Sequence, residues 1–154
     1  MNKFGTRSKN ELKTIHDDLV LIFSESLLDS FVDFGISNGA RTVEKQREYF
    51  NDGKSKINPD KYNPEQLVKV AKHIVNKFEP LSRAGDIYAY IPGKPELTFD
   101  EKHLCFLGGV ITATANRLFR ENKIKTKIEN NKTLKTLTSE SDRDTSIKKI
   151  EQLL

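Results

Sequence analysis

The sequence predicts an α+β domain over residues 1–128, a small antiparallel sheet with flanking helices, and a polar extension over 129–154. Three observations carry this expectation. Apolar side chains recur at helical spacing from Leu12, from Leu67 and from Leu104. Two short stretches, around Phe34 and Ile87, alternate apolar and polar residues as half-buried strands do. The apolar pattern then fails over 129–145, which is rich in Asn, Thr, Ser and Lys.

The elements follow in order. Ser8 and Glu11 have capping-box spacing, and Leu12, Ile15, Leu19 and Ile22 continue one apolar face, so a helix is expected from there to about Leu28. Val32, Phe34 and Ile36 form a strand closed by the Asn38-Gly39 turn. Thr42 caps a second helix running to about Phe50, which Asn51-Asp52-Gly53 stops. Residues 53–63 read as a loop. Asn63-Pro64 then starts a helix whose stripe is Leu67, Ala71, Ile74, Val75 and Phe78. Ile87, Ala89 and Ile91 form the second strand, ended by Pro92-Gly93, with Asp86 on the face opposite the isoleucines. Thr98 and Glu101 cap a long helix over about 99–121, in which Gly108-Gly109 predicts close packing against a neighbour. Ile124, Thr126 and Ile128 alternate as a third strand. Ile147, Ile150 and Leu154 close the chain at helical spacing, a stripe expected to dock on a partner.

Composition narrows the function. With 36% apolar and 31% charged residues, part of the chain should be solvated or partner-bound. There is no apolar run long enough for a membrane span, and no signal-peptide stretch at the start. The 26 basic and 22 acidic residues interleave, which argues against nucleic-acid binding, because phosphate affinity needs clustered cations. A single cysteine, Cys105, excludes a disulfide framework and reads as a buried structural thiol. His16, His73 and His103 fall on three separate expected helices and read as structural residues. No phosphate-cradling glycine loop and no nucleophile elbow is present.

Several strings resemble one family. Phe4-Gly5 with Ser8, Leu12, His16 and Leu19 looks like the opening of the phage L-alanyl-D-glutamate peptidases, relatives of the zinc D-Ala-D-Ala carboxypeptidases. Gly39-Ala40-Arg41-Thr42 through Gln46, with Gly53-Lys54-Ser55 after it, matches the family's G-x-R-T-x-x-x-Q block and G-x-S sequel. Arg83-Ala84-Gly85-Asp86 and the strand after it match the segment that ends in a zinc-binding aspartate, and 99–128 resembles the family's long helix and next strand. The resemblance covers about residues 4–128. It implies a peptidoglycan-peptidase fold with a ligand cleft at Arg41, Gln46, Ser55, Glu79 and Asp86.

The departures from the family pattern bear on activity. Against H-x-x-G-x-A-x-D, the string Glu79-Pro80-Leu81-Ser82-Arg83-Ala84-Gly85-Asp86 keeps the aspartate but sets Glu79 at the histidine position and Ser82 at the glycine position. The family's later tryptophan-rich segment, catalytic carboxylate and last zinc histidine have no counterpart, since Trp is absent and no histidine follows His103. Catalytic zinc takes three protein ligands and an open position. Two carboxylates suit a weak hard-cation site instead, so Glu79 and Asp86 are expected to be solvated or paired with Arg83 or Arg41. Arg41 either holds an anionic ligand or pins the loop after the first strand.

The expectation is therefore a catalytically inactive peptidase-fold protein with no catalytic residues, no metal and no cofactor. It would serve as a structural or interaction component of a bacteriophage virion, docking other virion proteins and located in the virion or the host cytoplasm. Two alternatives stand beside it. One is a zinc endolysin with an altered metal site, completed by His73 or His103 brought near Asp86. The other is a module that binds peptidoglycan without hydrolysing it.

Overall fold

The computed structural model describes residues 2–77 and 79–125. Phe78, Thr126, Ile128, the 128/129 boundary and the docking stripe Ile147, Ile150 and Leu154 lie outside the described residues.

The first expected helix is two helices, α1 (Thr6–Leu12) and α2 (Asp17–Asp29). The break between them is set by tertiary pairing. Ser82 N–H donates to Thr14 O, His16 N–H donates to Ser82 O, and Ile15, 1% exposed, is drawn inward by the bridge to Ser82. His16 then serves as the N-cap of α2, its Nδ1 accepting from Asp18 N at 3.2 Å. Ser8 is not a cap. Gly5 holds that position, and the Ser8 hydroxyl is buried, accepting from Ile36 N at 3.0 Å. The need to satisfy a buried strand amide outweighs the local capping signal.

Strands β1 (Asp33–Asn38) and β2 (Asp86–Tyr90) pair antiparallel, with Phe34 opposite Ala89 and Ile36 opposite Ile87. The register shifts between Ile36 and Asn38, and this shift sets Asn38 against Asp86. The described sheet has these two strands. Ile124, expected in a third, is buried at 3% exposure outside any strand.

Helix α3 (Val43–Asn51) starts where expected, with Thr42 Oγ1 accepting from Lys45 N at 3.2 Å, and stops before Gly53, whose φ is +71°. Inside the expected loop, Pro59–Lys61 makes a single 3₁₀ turn. Helix α4 (Pro64–Val70) has the full Asn63–Gln66 capping box but ends eight residues before Phe78, where the apolar stripe had placed its end. Beyond Val70 the backbone is taken by other partners. Lys72 O accepts from Arg83 N, His73 O accepts from Arg41 N, and Ile74 bridges to Arg41. Tertiary hydrogen bonds replace the last helical turns.

The long helix α5 (Glu101–Arg120) is capped by Asp100 rather than Thr98. Asp100 reaches His103 N, whereas Thr98 lies in a turn whose carbonyl accepts from Ala89 N. Helix α5 packs on α2, so Leu104, Leu107, Ile111, Ala115 and Leu118 share one core with Ile22, Phe23, Leu27 and the inner residues of both strands. Leu67, Val68, Ala71 and Ile74 form a smaller core with Val43 and Ile57.

Gly108 and Gly109 do not mark a close approach. A Cβ at either position would meet nothing within 4 Å, and Gly109 is exposed. Gly109→Ala is thus expected to stabilise the fold by about 0.5–1 kcal/mol, through a less flexible unfolded chain and better helix propensity. A thermal melt that rises by a few degrees meets this expectation; a fall would show an unseen neighbour at the helix face.

Candidate functional site

Two strand ends and two loops converge at Asp86. Its position as the first residue of β2 leaves the carboxylate half-buried, while the following Ile87 turns into the core at 7% exposure. Asn38 Nδ2 donates to Asp86 Oδ2 at 3.3 Å, and Arg41 Nη2 donates to the same oxygen at 3.4 Å. The other oxygen, Oδ1, lies 3.2 Å from His73 Nε2.

Of the two histidines that the altered-metal-site alternative offers, His73 is the one that reaches Asp86. It is 8% exposed and fixed at two points to the loop after β1. Its backbone carbonyl accepts from Arg41 N at 2.7 Å, and its Nδ1 stands 2.7 Å from Gly39 O. A carbonyl oxygen only accepts, so Nδ1 carries the proton there. The Nε2 edge is thereby turned towards Asp86, where two electron-rich atoms face one another and call for a proton or a cation between them.

The Asp86 carboxyl is held below the ordinary aspartate range. Burial works in the opposite direction and is the largest single effect, but the His73 hydrogen bond and charge, the Arg41 guanidinium and the Asn38 amide together exceed it. The carboxylate is thus kept ionised.

Arg41 is clamped. Its Nη1 donates to Gln46 Oε1 at 3.0 Å, and its guanidinium carbon lies 4.4 Å from the centre of the Tyr49 ring. Gln46, 1% exposed, passes the constraint on through Nε2 to Ser55 Oγ at 2.8 Å and Ile57 O at 3.0 Å. Arg41, Gln46, Ser55 and Asp86 therefore form one connected network. Two of Arg41's five in-plane N–H groups are used in these side-chain bonds.

Glu79 is not in this network. Its backbone N–H donates to Asn76 Oδ1 at 2.8 Å, and its carbonyl accepts from Asn76 N, closing a turn. Arg83 also points elsewhere, donating to Val68 O at 3.2 Å. His103 is tied to Asp100 at 2.7 Å on α5. The histidine that meets Asp86 stands thirteen residues before it, whereas the family pattern, laid without a gap, lands on Glu79, seven residues before it. The segment 74–79 accounts for the difference in spacing. The legible signal is a histidine next to the apolar Ile74-Val75 pair, within the helix expected over 64–78.

His73 and Asp86 supply one imidazole and one carboxylate, a donor pair that suits zinc. Among the described residues no third His, Cys, Asp or Glu joins them. A separate cavity between α3, the 3₁₀ turn and α4 is lined mainly by apolar side chains such as Val43, Leu67 and Ile74. Its one carboxylate, Asp60, is bound by Arg47, so that cavity offers no comparable chemistry.

The comparisons with known proteins bear on family and fold. No curated protein matches the chain. A crystal structure of an L-Ala D-Glu endopeptidase from Serratia marcescens, ChiX, shares the fold at 20% identity, with a TM-score of 0.52 over 75% of this chain and 74% of that one. The family model for the phage L-alanyl-D-glutamate peptidase matches residues 1–103 of the 154, which includes Arg41, Gln46, Ser55, His73 and Asp86. The chain belongs to the phage L-alanyl-D-glutamate peptidase family.

Proposed function

We propose that the protein is a zinc-dependent peptidase of peptidoglycan stem peptides, cleaving at the L-Ala–D-Glu bond, with His73 and Asp86 as two of the metal's ligands. One observation carries the reading: His73 Nδ1 is committed to Gly39 O, which presents Nε2 to Asp86 Oδ1 at 3.2 Å. Metal-binding histidines recurrently hold their second ring nitrogen in this way, since the bond fixes both ring orientation and proton position.

When bound, zinc supplies Lewis-acid polarisation of a carbonyl and makes water acidic near neutral pH. The chain's own groups supply the rest. Asp86 stays ionised at working pH and brings the negative charge that a dication needs. Arg41, clamped by Gln46 and the Tyr49 ring, brings the guanidinium whose remaining in-plane donors suit a carboxylate of the stem peptide. Gln46 and Ser55 hold Arg41 and touch no reacting atom. Among the described residues the chain brings these two ligands together and no third His, Cys, Asp or Glu.

The test is zinc-dependent release of new amino termini from purified stem peptide, compared in the parent and in Asp86→Ala. Cleavage with zinc, abolished in the variant, is the expected result. Bound zinc without cleavage would favour the second reading, a non-hydrolytic protein that uses the same cleft to bind peptidoglycan or serves as a virion component with protein partners. That reading draws on the two-ligand count among the described residues. Absence of zinc binding would remove the peptidase reading.

A further inference from the structure

We infer that Thr14 is a positioning residue for His73, acting through the Gly39–Ala40 peptide unit. The inference rests on the metal-ligand reading of His73 for its purpose, but the contacts themselves stand without it.

The contacts form one chain. His73 Nδ1 donates to Gly39 O at 2.7 Å. That carbonyl belongs to the same peptide plane as Ala40 N–H, which donates to Thr14 Oγ1 at 2.8 Å. The Thr14 hydroxyl in turn donates to Glu11 O at 2.7 Å, at the end of α1. Each group is thus donor on one side and acceptor on the other. In such a chain a bond at the amide end draws electron density to the carbonyl oxygen, making it a better acceptor for the ring N–H.

The geometry is rigid as well as polarised. Thr14 is β-branched, so its rotamer is restricted, and both functions of its hydroxyl are used. Its own backbone carbonyl accepts from Ser82 N at 2.9 Å, which fixes the residue from the other side. Gly39 N–H donates to Glu11 Oε2 at 2.8 Å, so the peptide units on both sides of Gly39 are tied to the α1 end. The break between α1 and α2, which no local signal required, thereby gains a role: an uninterrupted helix would commit Thr14 C=O to a helical partner and take it from Ser82 N–H.

The experiment uses the full chain and two readouts. The first is the His73 Nδ1–H proton in the metal-free protein, assigned by its loss in His73→Gln. In the parent it should be a downfield resonance protected from exchange by the carbonyl. In Thr14→Val, which keeps shape and removes the acceptor, it should move upfield or broaden by faster exchange; Thr14→Ser should restore it. The second readout is zinc affinity by chelator competition. Thr14→Val should weaken it about tenfold, with Thr14→Ser close to the parent, as for other supports of metal-binding histidines. A parent without the protected proton, or a Thr14→Val chain in which it is unchanged, overturns the inference. Should Thr14→Val not fold, loss of the resonance in Thr14→Ser overturns it equally. A parent that binds no zinc defeats the metal reading, and the ring proton still decides the role of Thr14.

Discussion

His73→Ala is expected to lower zinc affinity at least about 100-fold, while Glu79→Ala leaves it within about twofold. Loss of a supporting residue behind a metal-binding histidine typically costs 10–100-fold, so removal of the donor itself should reach or exceed the top of that range. Both residues compete for the same position in the family pattern. Glu79 holds it by spacing alone, with its backbone closing a turn on Asn76. His73 holds it by geometry, 3.2 Å from Asp86 Oδ1. Chelator competition on the two variants separates these assignments directly. Equal losses, or a larger loss in Glu79→Ala, would return the site to the two-carboxylate arrangement.

Where local chemistry decides structure, the sequence was readable. Thr42, Asn63-Pro64, the Asp52-Gly53 stop and the alternation at Ile87 and Ala89 all stand in the structure as the pattern predicts. Four of the five positions that the family resemblance names, Arg41, Gln46, Ser55 and Asp86, are joined in one hydrogen-bonded network, and Glu79 is not. What could not be read was a backbone segment recruited by a distant partner. Leu12–Ile15 carries a good helical stripe, yet Ser82 pairs with Thr14 and His16 and breaks it. Residues 71–75 carry another, yet Arg41 and Arg83 take their carbonyls. These pairings join residues far apart in the chain and leave no periodic trace. The second of them is also what brings His73 to Asp86, so the shortened helix and the His73–Asp86 contact have one cause. Gly108-Gly109 failed differently: a propensity cost was read as a packing need, and the space around both glycines is open.

Gly39→Ala is expected to destabilise the protein by about 2–4 kcal/mol and to weaken zinc binding together with it. The cause is contact rather than backbone conformation, since the positive-φ glycines are Gly53 and Gly93. A Cβ on Gly39 would sit 2.2 Å from Thr14 Oγ1, 2.6 Å from Glu11 O and 3.0 Å from Ile15 Cγ2. None of these can yield cheaply. Glu11 O is backbone at the end of α1, Thr14 Oγ1 is held by two hydrogen bonds, and Ile15 is buried at 1% exposure. The loop must therefore move outward, and three bonds made by Gly39 and Ala40 weaken together: to Glu11, to Thr14 and to His73. Gly35 provides the comparison. A Cβ there would meet the Tyr88 ring and hydroxyl at 2.5 Å, at the outer end of a side chain that can swing away, so Gly35→Ala should cost less and leave zinc affinity near that of the parent. Chemical denaturation and chelator competition on the two alanine variants measure both effects. If Gly39→Ala melts like the parent and binds zinc as well, the loop after β1 is not the support that holds His73 in place.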